Sequence, residues 1–232
     1  MNVIGAPVAL GVAILIMIFA GLGIGAVNGA GVSRLRMPAL IVTLAMWQIS
    51  TGAAFSVSQG VSVGFQPESL AFFGKGTIAG VPVPVYIFVA VAVIVYFVLN
   101  YTTFGRSVYA VGGNPVSAWL SGINVKNILF AVYAISGFLA GLAAVIMSAR
   151  AMGSSMSSLY GLELDSIAAV VVGGVSLFGG RGTLIGVVIG AIIIGIINNG
   201  MSLIGAGPAV IGIVKGSIII GAVAVDYIRR RG

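Results

Sequence analysis

The sequence lacks histidine and cysteine altogether and holds only 4 acidic residues among its 232. These absences exclude zinc sites, Ser-His-Asp triads, cysteine nucleophiles, disulfides, and haem or iron–sulfur ligation through those side chains. So few carboxylates also leave almost nothing for general acid–base catalysis. We therefore predict that the chain is not an enzyme and binds no metal ion.

Charge of either sign is scarce: 6% of the residues are charged, 59% are hydrophobic, and the mean hydropathy is +1.21. Soluble proteins carry about 25% charged residues, so this composition cannot cover a folded surface in water. The pI is near 10.2, but the Lys and Arg residues are scattered and form no basic face for nucleic acid. The composition predicts a polytopic membrane protein with membrane lipid, and no nucleic acid, around it.

Long apolar runs mark candidate membrane spans, since a spanning helix needs about 20 mostly apolar residues. Short stretches rich in Gly, Pro or charge separate these runs. We predict an all-α fold with about seven spans, one of them broken, in a single transmembrane domain over residues 1–232. The predicted spans are 7–31, 38–59, 82–101, 127–148, 162–180, 183–204 and 208–228.

Lys and Arg between the spans predict the orientation, because cytoplasmic loops carry the excess of positive charge. With the N-terminus outside and the C-terminus inside, eight cations are cytoplasmic and only Lys75 and Arg150 are external. Segment 162–180 is the weakest span because Gly173-Gly174 interrupts it, yet a re-entrant course would leave four cations inside and six outside. The crossing course is therefore favoured.

The first predicted span has no charged residue before Arg34 to orient an external N-terminus. We expect from this that further spans normally precede the chain, which would then be incomplete at its N-terminus. A natural start outside the membrane is the alternative.

The segment 105–126 lies on the cationic side and is too polar to span the membrane. Asn114 followed by Pro115 predicts a helix start, because the amide caps the first N–H groups and the fixed φ of proline suits the first helical position. Trp119 and Leu120 give the short helix an exposed apolar knob.

This short helix has Gly122 as its predicted end. Two interpretations of it stay open. It either lies on lipid with Trp119 at headgroup depth or fits a groove on a cytosolic partner.

Three stretches carry a resemblance to a known family: GRSVYAVGGNPVSAWLSGINV (105–125), YAISGFLAGLAAVI (133–146) and YGLELDSIAAVVVGGVSLFGGRGTLIGVVIGAIIIGIINNGMSLIG (160–205). In them the sequence resembles the membrane permease of bacterial ABC importers for ribose, other monosaccharides and autoinducer-2. The family usually begins with further spans and a Gly-Gly-Ile-Asp-Leu-Ser-Val-Gly-like motif, which is absent here.

The resemblance implies a permease subunit of the bacterial cytoplasmic membrane that forms a pore as a homodimer or heterodimer. A cytosolic ATPase would drive import with ATP and Mg²⁺, and an extracytoplasmic sugar-binding protein would deliver the solute, so this chain binds no cofactor itself. Segment 105–126 would be the coupling loop that meets the ATPase. Its coupling residues would be Asn114, Pro115, Trp119, Leu120 and Gly122.

Polar side chains inside predicted spans are costly and indicate function or helix association. Amides can hydrogen-bond sugar hydroxyls or a neighbouring helix, and both roles stay open for the candidate pathway residues Asn28, Gln48, Asn198 and Asn199. Lys215 either extends toward the outer surface or forms a structural ion pair with Glu163 or Asp165.

Glycines four residues apart recur in the spans and allow close helix packing, within one subunit or between subunits. The sets are Gly21/Gly25/Gly29, Gly137/Gly141, Gly186/Gly190 and Gly212/Gly216.

Two other functional classes remain open beside the ATP-driven permease. An ion-coupled secondary transporter shares the composition, although it usually shows inverted repeats and intramembrane acids. An inactive, truncated structural membrane subunit is the other.

Overall fold

The computed structural model describes residues 5–61, 63–64, 68–151, 153–154, 161–177 and 179–231. Most of these residues are helical and the strands have only two residues each, which confirms the prediction of an all-α membrane protein. Within these described ranges, five helices are long and apolar enough to cross a membrane. They are α1 (Gly5–Ser33), α2 (Ala39–Ser58), α4 (Val83–Tyr101), α7 (Val125–Ala151) and α9 (Leu184–Leu203).

The other two predicted spans, 162–180 and 208–228, differ from these five. The final one forms α10 (Pro208–Arg231), whose apolar stretch, Ala209–Ala224, is shorter. Segment 162–180 forms only α8 (Leu162–Val172), which at about 1.5 Å per residue is too short for a hydrocarbon core about 30 Å thick. The predicted break at Gly173-Gly174 is confirmed, because α8 ends there and none of the described residues between 173 and 183 is helical.

Short elements fill the connections between the long helices. They are α3 (Glu68–Lys75), α5 (Thr103–Gly113) and α6 (Pro115–Leu120), together with four two-residue strands. β1 (Val63–Gly64) pairs with β4 (Gly153–Ser154), and β2 (Thr77–Ile78) pairs with β3 (Val81–Pro82), both antiparallel. Among these short elements only α6 was expected from the sequence.

The chain divides into two compact units, and the boundary between them falls within α4 and again at each end of the α7 region. Unit 1 contains the described residues of 1–91 and 122–158, and unit 2 contains those of 92–121 and 159–232. Each unit has its own helix seam.

In unit 1, α1 packs against α7 with backbone nearly touching backbone. A Cβ on Gly21 would lie 2.8 Å from the Cα of Gly141, and one on Gly25 would lie 2.9 Å from the Cα of Gly137. These two glycine pairs therefore serve packing within the chain. Next to the seam, α3 adds Leu70 to a small core with Val145 and Ala149 of α7.

In unit 2, α8 lies antiparallel to α9 along a second glycine seam. A Cβ on Gly173 would lie 2.9 Å from the Cα of Val187, and one on Gly190 would lie 2.7 Å from the backbone nitrogen of Gly173. Ala168 and Ala169 of α8 pack with Ile194 of α9, and isoleucines of α10 cover this core. The Gly212/Gly216 pair differs, because a Cβ on either would meet no described atom within 4 Å.

Candidate functional site

Helix α6 begins at the position that the sequence predicts. The Asn114 side-chain oxygen accepts hydrogen bonds from the N–H groups of Val116 and Ser117, both at 3.0 Å, and Pro115 occupies the first turn. The cap satisfies two N–H groups that a helix N-terminus leaves without partners. At the other end the chain turns through Gly122, whose φ of +82° suits glycine.

The apolar side chains of α6 point to two sides. Ala118 is buried in unit 2, whereas Val116, Trp119 and Leu120 are 67%, 66% and 73% exposed. Buried Ala118 holds α6 to the unit, while the three exposed side chains form an apolar knob that is mostly uncovered by the described part of the chain. Such a knob can enter a groove on another protein or rest on lipid.

A polar cluster joins the three helices of the unit 2 seam. The Nζ atom of Lys215 on α10 lies 2.5 Å from Oδ1 of Asp165 on α8. The other oxygen of Asp165 accepts a hydrogen bond of 3.1 Å from the amide nitrogen of Asn198 on α9. Of the two acids predicted as partners of Lys215, Asp165 therefore lies against it, while Glu163 is exposed.

The cluster joins the first turn of α8, which contains Asp165, to residues further along α9 and α10. Asn198 is about 21 Å along α9 from Leu184 at 1.5 Å per residue. The side chains of Lys215 and Asp165 are only 17% and 20% exposed. In this partly buried place the ammonium and the carboxylate compensate each other, and the hydrogen bond from Asn198 further stabilises the carboxylate.

Asn28 occupies a different setting, in unit 1. It lines a cavity of about 540 Å³ that runs along the glycine faces of α1 and α7. Thr43, Tyr133 and Ser136 bring further hydroxyl groups to the same cavity. The side-chain oxygen of Asn28 is buried and has no hydrogen-bond partner among the described residues, so it is available to a polar group that enters.

The other two candidate pathway residues, Gln48 on α2 and Asn199 on α9, are exposed. Asn198 is the one pathway candidate that meets the predicted ion pair. Across the described residues, the acidic side chains form no group able to hold a metal ion.

Comparison with known proteins connects this arrangement to a family. A family model described as the permease component of branched-chain amino acid transport systems matches residues 2–223. The chain belongs to this permease family. The match covers both units, the α6 region and all three helices of the polar cluster.

Individual relatives of the permease carry names that refer to sugars. Ribose import permease protein RbsC of Escherichia coli (strain K12) is 41% identical over 202 residues, covering 85% of this chain and 63% of that protein. Fructose import permease protein FrcC of Rhizobium meliloti is 39% identical over 191 residues, covering 77% and 53%. The predicted resemblance to sugar permeases is confirmed.

The L-arabinose transport system permease protein AraH of Escherichia coli (strain K12) is 39% identical over 173 residues, covering 75% of this chain and 53% of that protein. The permease chain thus spans less than two thirds of the length of these curated relatives. No solved structure matches it.

The permease also has a polar group that sequence reasoning missed. In unit 2 the loop 173–183, between α8 and α9, borders a cavity of about 450 Å³ lined by Ser176, Arg181, Asp226 and several glycines. The Ser176 hydroxyl donates a hydrogen bond of 3.0 Å to Asp226. One indication of this polar group was present in the sequence: Asp226 is one of only 4 acidic residues and shortly precedes a run of arginines.

Proposed function

We propose that this permease chain is a membrane subunit of an ATP-driven importer for a monosaccharide or a similar small polar solute, working in the bacterial cytoplasmic membrane. The observation that carries the proposal is the knob on α6, which is capped, anchored by Ala118 and otherwise exposed. The printed names of the sugar permeases above support the solute class.

The knob has the properties of a docking element for a cytosolic ATPase. Tryptophan and a neighbouring aliphatic side chain bury much apolar area at little cost in conformational entropy, which makes such pairs strong contributors at interfaces. The Asn114 cap holds the helix in shape before the partner arrives, so less order has to be created on binding. ATP and Mg²⁺ would be bound by that partner.

The solute would be received from an extracytoplasmic sugar-binding protein and would cross with the help of a second permease subunit, identical or different. Amide groups suit a sugar because each offers both a donor and an acceptor to its hydroxyls. Asn28 supports this role best, since its oxygen is buried and unpartnered in the described structure and faces a cavity. Gln48, Asn198 and Asn199 remain candidates on the same chemical ground.

The proposal is tested by co-purification of this chain with candidate sugar-importer ATPases and sugar-binding proteins from its own organism. We expect a stable complex that takes up sugar only with ATP, and we expect Trp119→Ala combined with Leu120→Ala to release the ATPase. Removing two central interface side chains costs about 2 kcal/mol each, so the two losses together should lower the affinity about a thousandfold.

The matched control is Leu203→Ala combined with Ile204→Ala, two side chains that are 79% and 81% exposed at the end of α9. This control should keep the ATPase bound. Retention of the ATPase by the Trp119/Leu120 variant would contradict coupling through α6.

Uptake driven by an ion gradient without ATP would instead indicate a secondary transporter, and a complex with no uptake under either condition would indicate a structural subunit.

A further inference from the structure

The end of α5 and the loop 173–183 meet through their backbones. A Cβ on Gly112 would lie 2.7 Å from the backbone nitrogen of Gly180, and a Cβ on Gly179 would lie 2.6 Å from the carbonyl oxygen of Gly112. A Cβ on Gly180 would lie 2.6 Å from the nitrogen of Gly113. We call this backbone contact between Gly112–Gly113 and Gly179–Gly180 the glycine joint; a side chain at Gly112, Gly179 or Gly180 would find no room in it.

On the loop side, hydrogen bonds between described residues of 173–183 hold the joint in place. The N–H of Ser176 donates to the carbonyl of Arg181 at 3.0 Å, and the N–H of Gly179 donates to the carbonyl of Ser176 at 3.1 Å. Ser176 is also tied to α10 through Asp226. Gly179 and Gly180 have φ values of +91° and +75°, a conformation that strongly favours glycine.

The helix side is equally well held. The Tyr109 hydroxyl, one turn before the joint, donates a hydrogen bond of 3.2 Å to the carbonyl oxygen of Gly182. Asn114, the cap of α6, follows Gly113 directly. On the loop side, Gly173 ends α8 and Thr183 caps the start of α9. The joint therefore lies one residue from the proposed docking helix and within a few residues of the break in the membrane segment.

We propose that the glycine joint transmits displacement of α6 into the broken segment, so that movement at the ATPase shifts α8 and α9. This inference rests on the proposed function, in which α6 docks on an ATPase. Direct backbone contacts have no side chain that can change rotamer and absorb a shift, so a displaced α6 must either move the loop or separate the joint. Gly112, Gly179, Gly180 and Tyr109 are positioning residues in this proposal, whereas Gly113 contributes only its backbone.

Two neighbouring substitutions test the joint with almost the same chemical change. Gly112→Ala places a methyl group 2.7 Å from the loop backbone, whereas a Cβ at Gly113 would lie 4.0 Å from the nearest described atom, the Cα of Gly180. Both residues lie in the last turn of α5, so the effect of alanine on helix propensity is matched. Gly113→Ala is therefore the control.

The measurement is sugar taken up per ATP hydrolysed, in liposomes containing the complete complex with its ATPase and binding protein. We expect Gly112→Ala to lower this ratio about tenfold while ATP hydrolysis continues, since substitutions in a coupling element alter coupling by factors of this order. Gly113→Ala should stay within about twofold of the unchanged complex. A ratio for Gly112→Ala equal to that of Gly113→Ala would overturn the proposal.

Tyr109→Phe provides a second variant that adds no atoms and so avoids a clash that prevents folding. Loss of its hydrogen bond to Gly182 should lower the ratio about threefold, in keeping with the usual net value of one hydrogen bond. If Gly112→Ala does not yield a complex, Tyr109→Phe becomes the deciding test. An unchanged ratio of sugar uptake to ATP hydrolysis in that variant then rejects the proposed role of the glycine joint. Failure of the proposed function looks different, because the unchanged complex would then show no ATP-driven uptake at all.

Discussion

Both units pack helices together through glycine contacts, and unit 2 adds charged and polar contacts between its helices. In both, glycines four residues apart bring helix backbones together, α1 with α7 in unit 1 and α8 with α9 in unit 2. The unit 2 seam also contains the Lys215–Asp165 ion pair and the hydrogen bond from Asn198.

Helix length accounts for the difference. α1 and α7 have 29 and 27 residues and share a long line of contacts, whereas α8 has only 11. A short helix gains little from van der Waals packing, and in lipid the hydrophobic effect does not hold helices together. A charge pair that only one arrangement can satisfy specifies the position of such a helix, so we expect the polar cluster to matter more to α8 than any single glycine matters to α1.

The largest effect should come from Lys215→Met, which leaves the partly buried Asp165 carboxylate without its cation. Removing one partner of a largely buried pair costs about 3 kcal/mol in the free energy of unfolding. Thermal unfolding of the detergent-purified chain measures this loss. Asp165→Leu combined with Lys215→Met should recover most of the stability, because no charge is then left uncompensated. Equal stability of the single and double variants would show that the pair does not specify the position of α8.

A smaller loss should follow from Gly25→Leu in unit 1, where the new side chain must enter the backbone of α7. Overpacking of this kind costs about 2 kcal/mol, since neighbouring backbone has to move. Gly23→Leu on the same helix is the matched control, because a Cβ there would meet no described atom within 4 Å. Similar thermal unfolding of both variants would contradict a glycine seam between α1 and α7.

The smallest effect should come from Asn198→Leu, which removes one hydrogen bond to Asp165 but keeps the ion pair. A hydrogen bond between membrane helices contributes much less stabilisation than the same bond in isolation. We therefore expect the free energy of unfolding to fall by about 1 kcal/mol. The same thermal measurement, made together with Lys215→Met, gives a double-mutant cycle. A loss as large as that of Lys215→Met alone would show that the amide, rather than the charge, dominates the cluster.

Local features of this chain could be predicted from its sequence. The cap at Asn114, the end of α8 at Gly173 and the long apolar helices depend on residues close together in the chain. The choice between Glu163 and Asp165 could not be predicted. Both precede a break in the same short helix, and two residues apart they point to nearly opposite faces, so only the placement of α10 shows which one meets Lys215.

The glycine joint was beyond sequence reasoning for a related reason. Gly112 and Gly180 lie far apart in the chain, and glycine offers no side chain whose polarity or periodicity predicts a partner. In unit 1 the same limit applies to Asn28, whose place in a span was predictable but whose cavity depends on how α1 and α7 pack.

The sequence by itself determined that the chain belongs in lipid, where its long helices lie and how α6 begins, because composition decides whether a chain is stable in lipid and hydrogen bonding within a few residues decides where a capped helix begins. Only the tertiary structure decided which acid pairs with Lys215, which glycines touch and which polar atoms stay unpartnered. Those are contacts between residues distant in sequence, and their energies depend on distances that no local pattern contains.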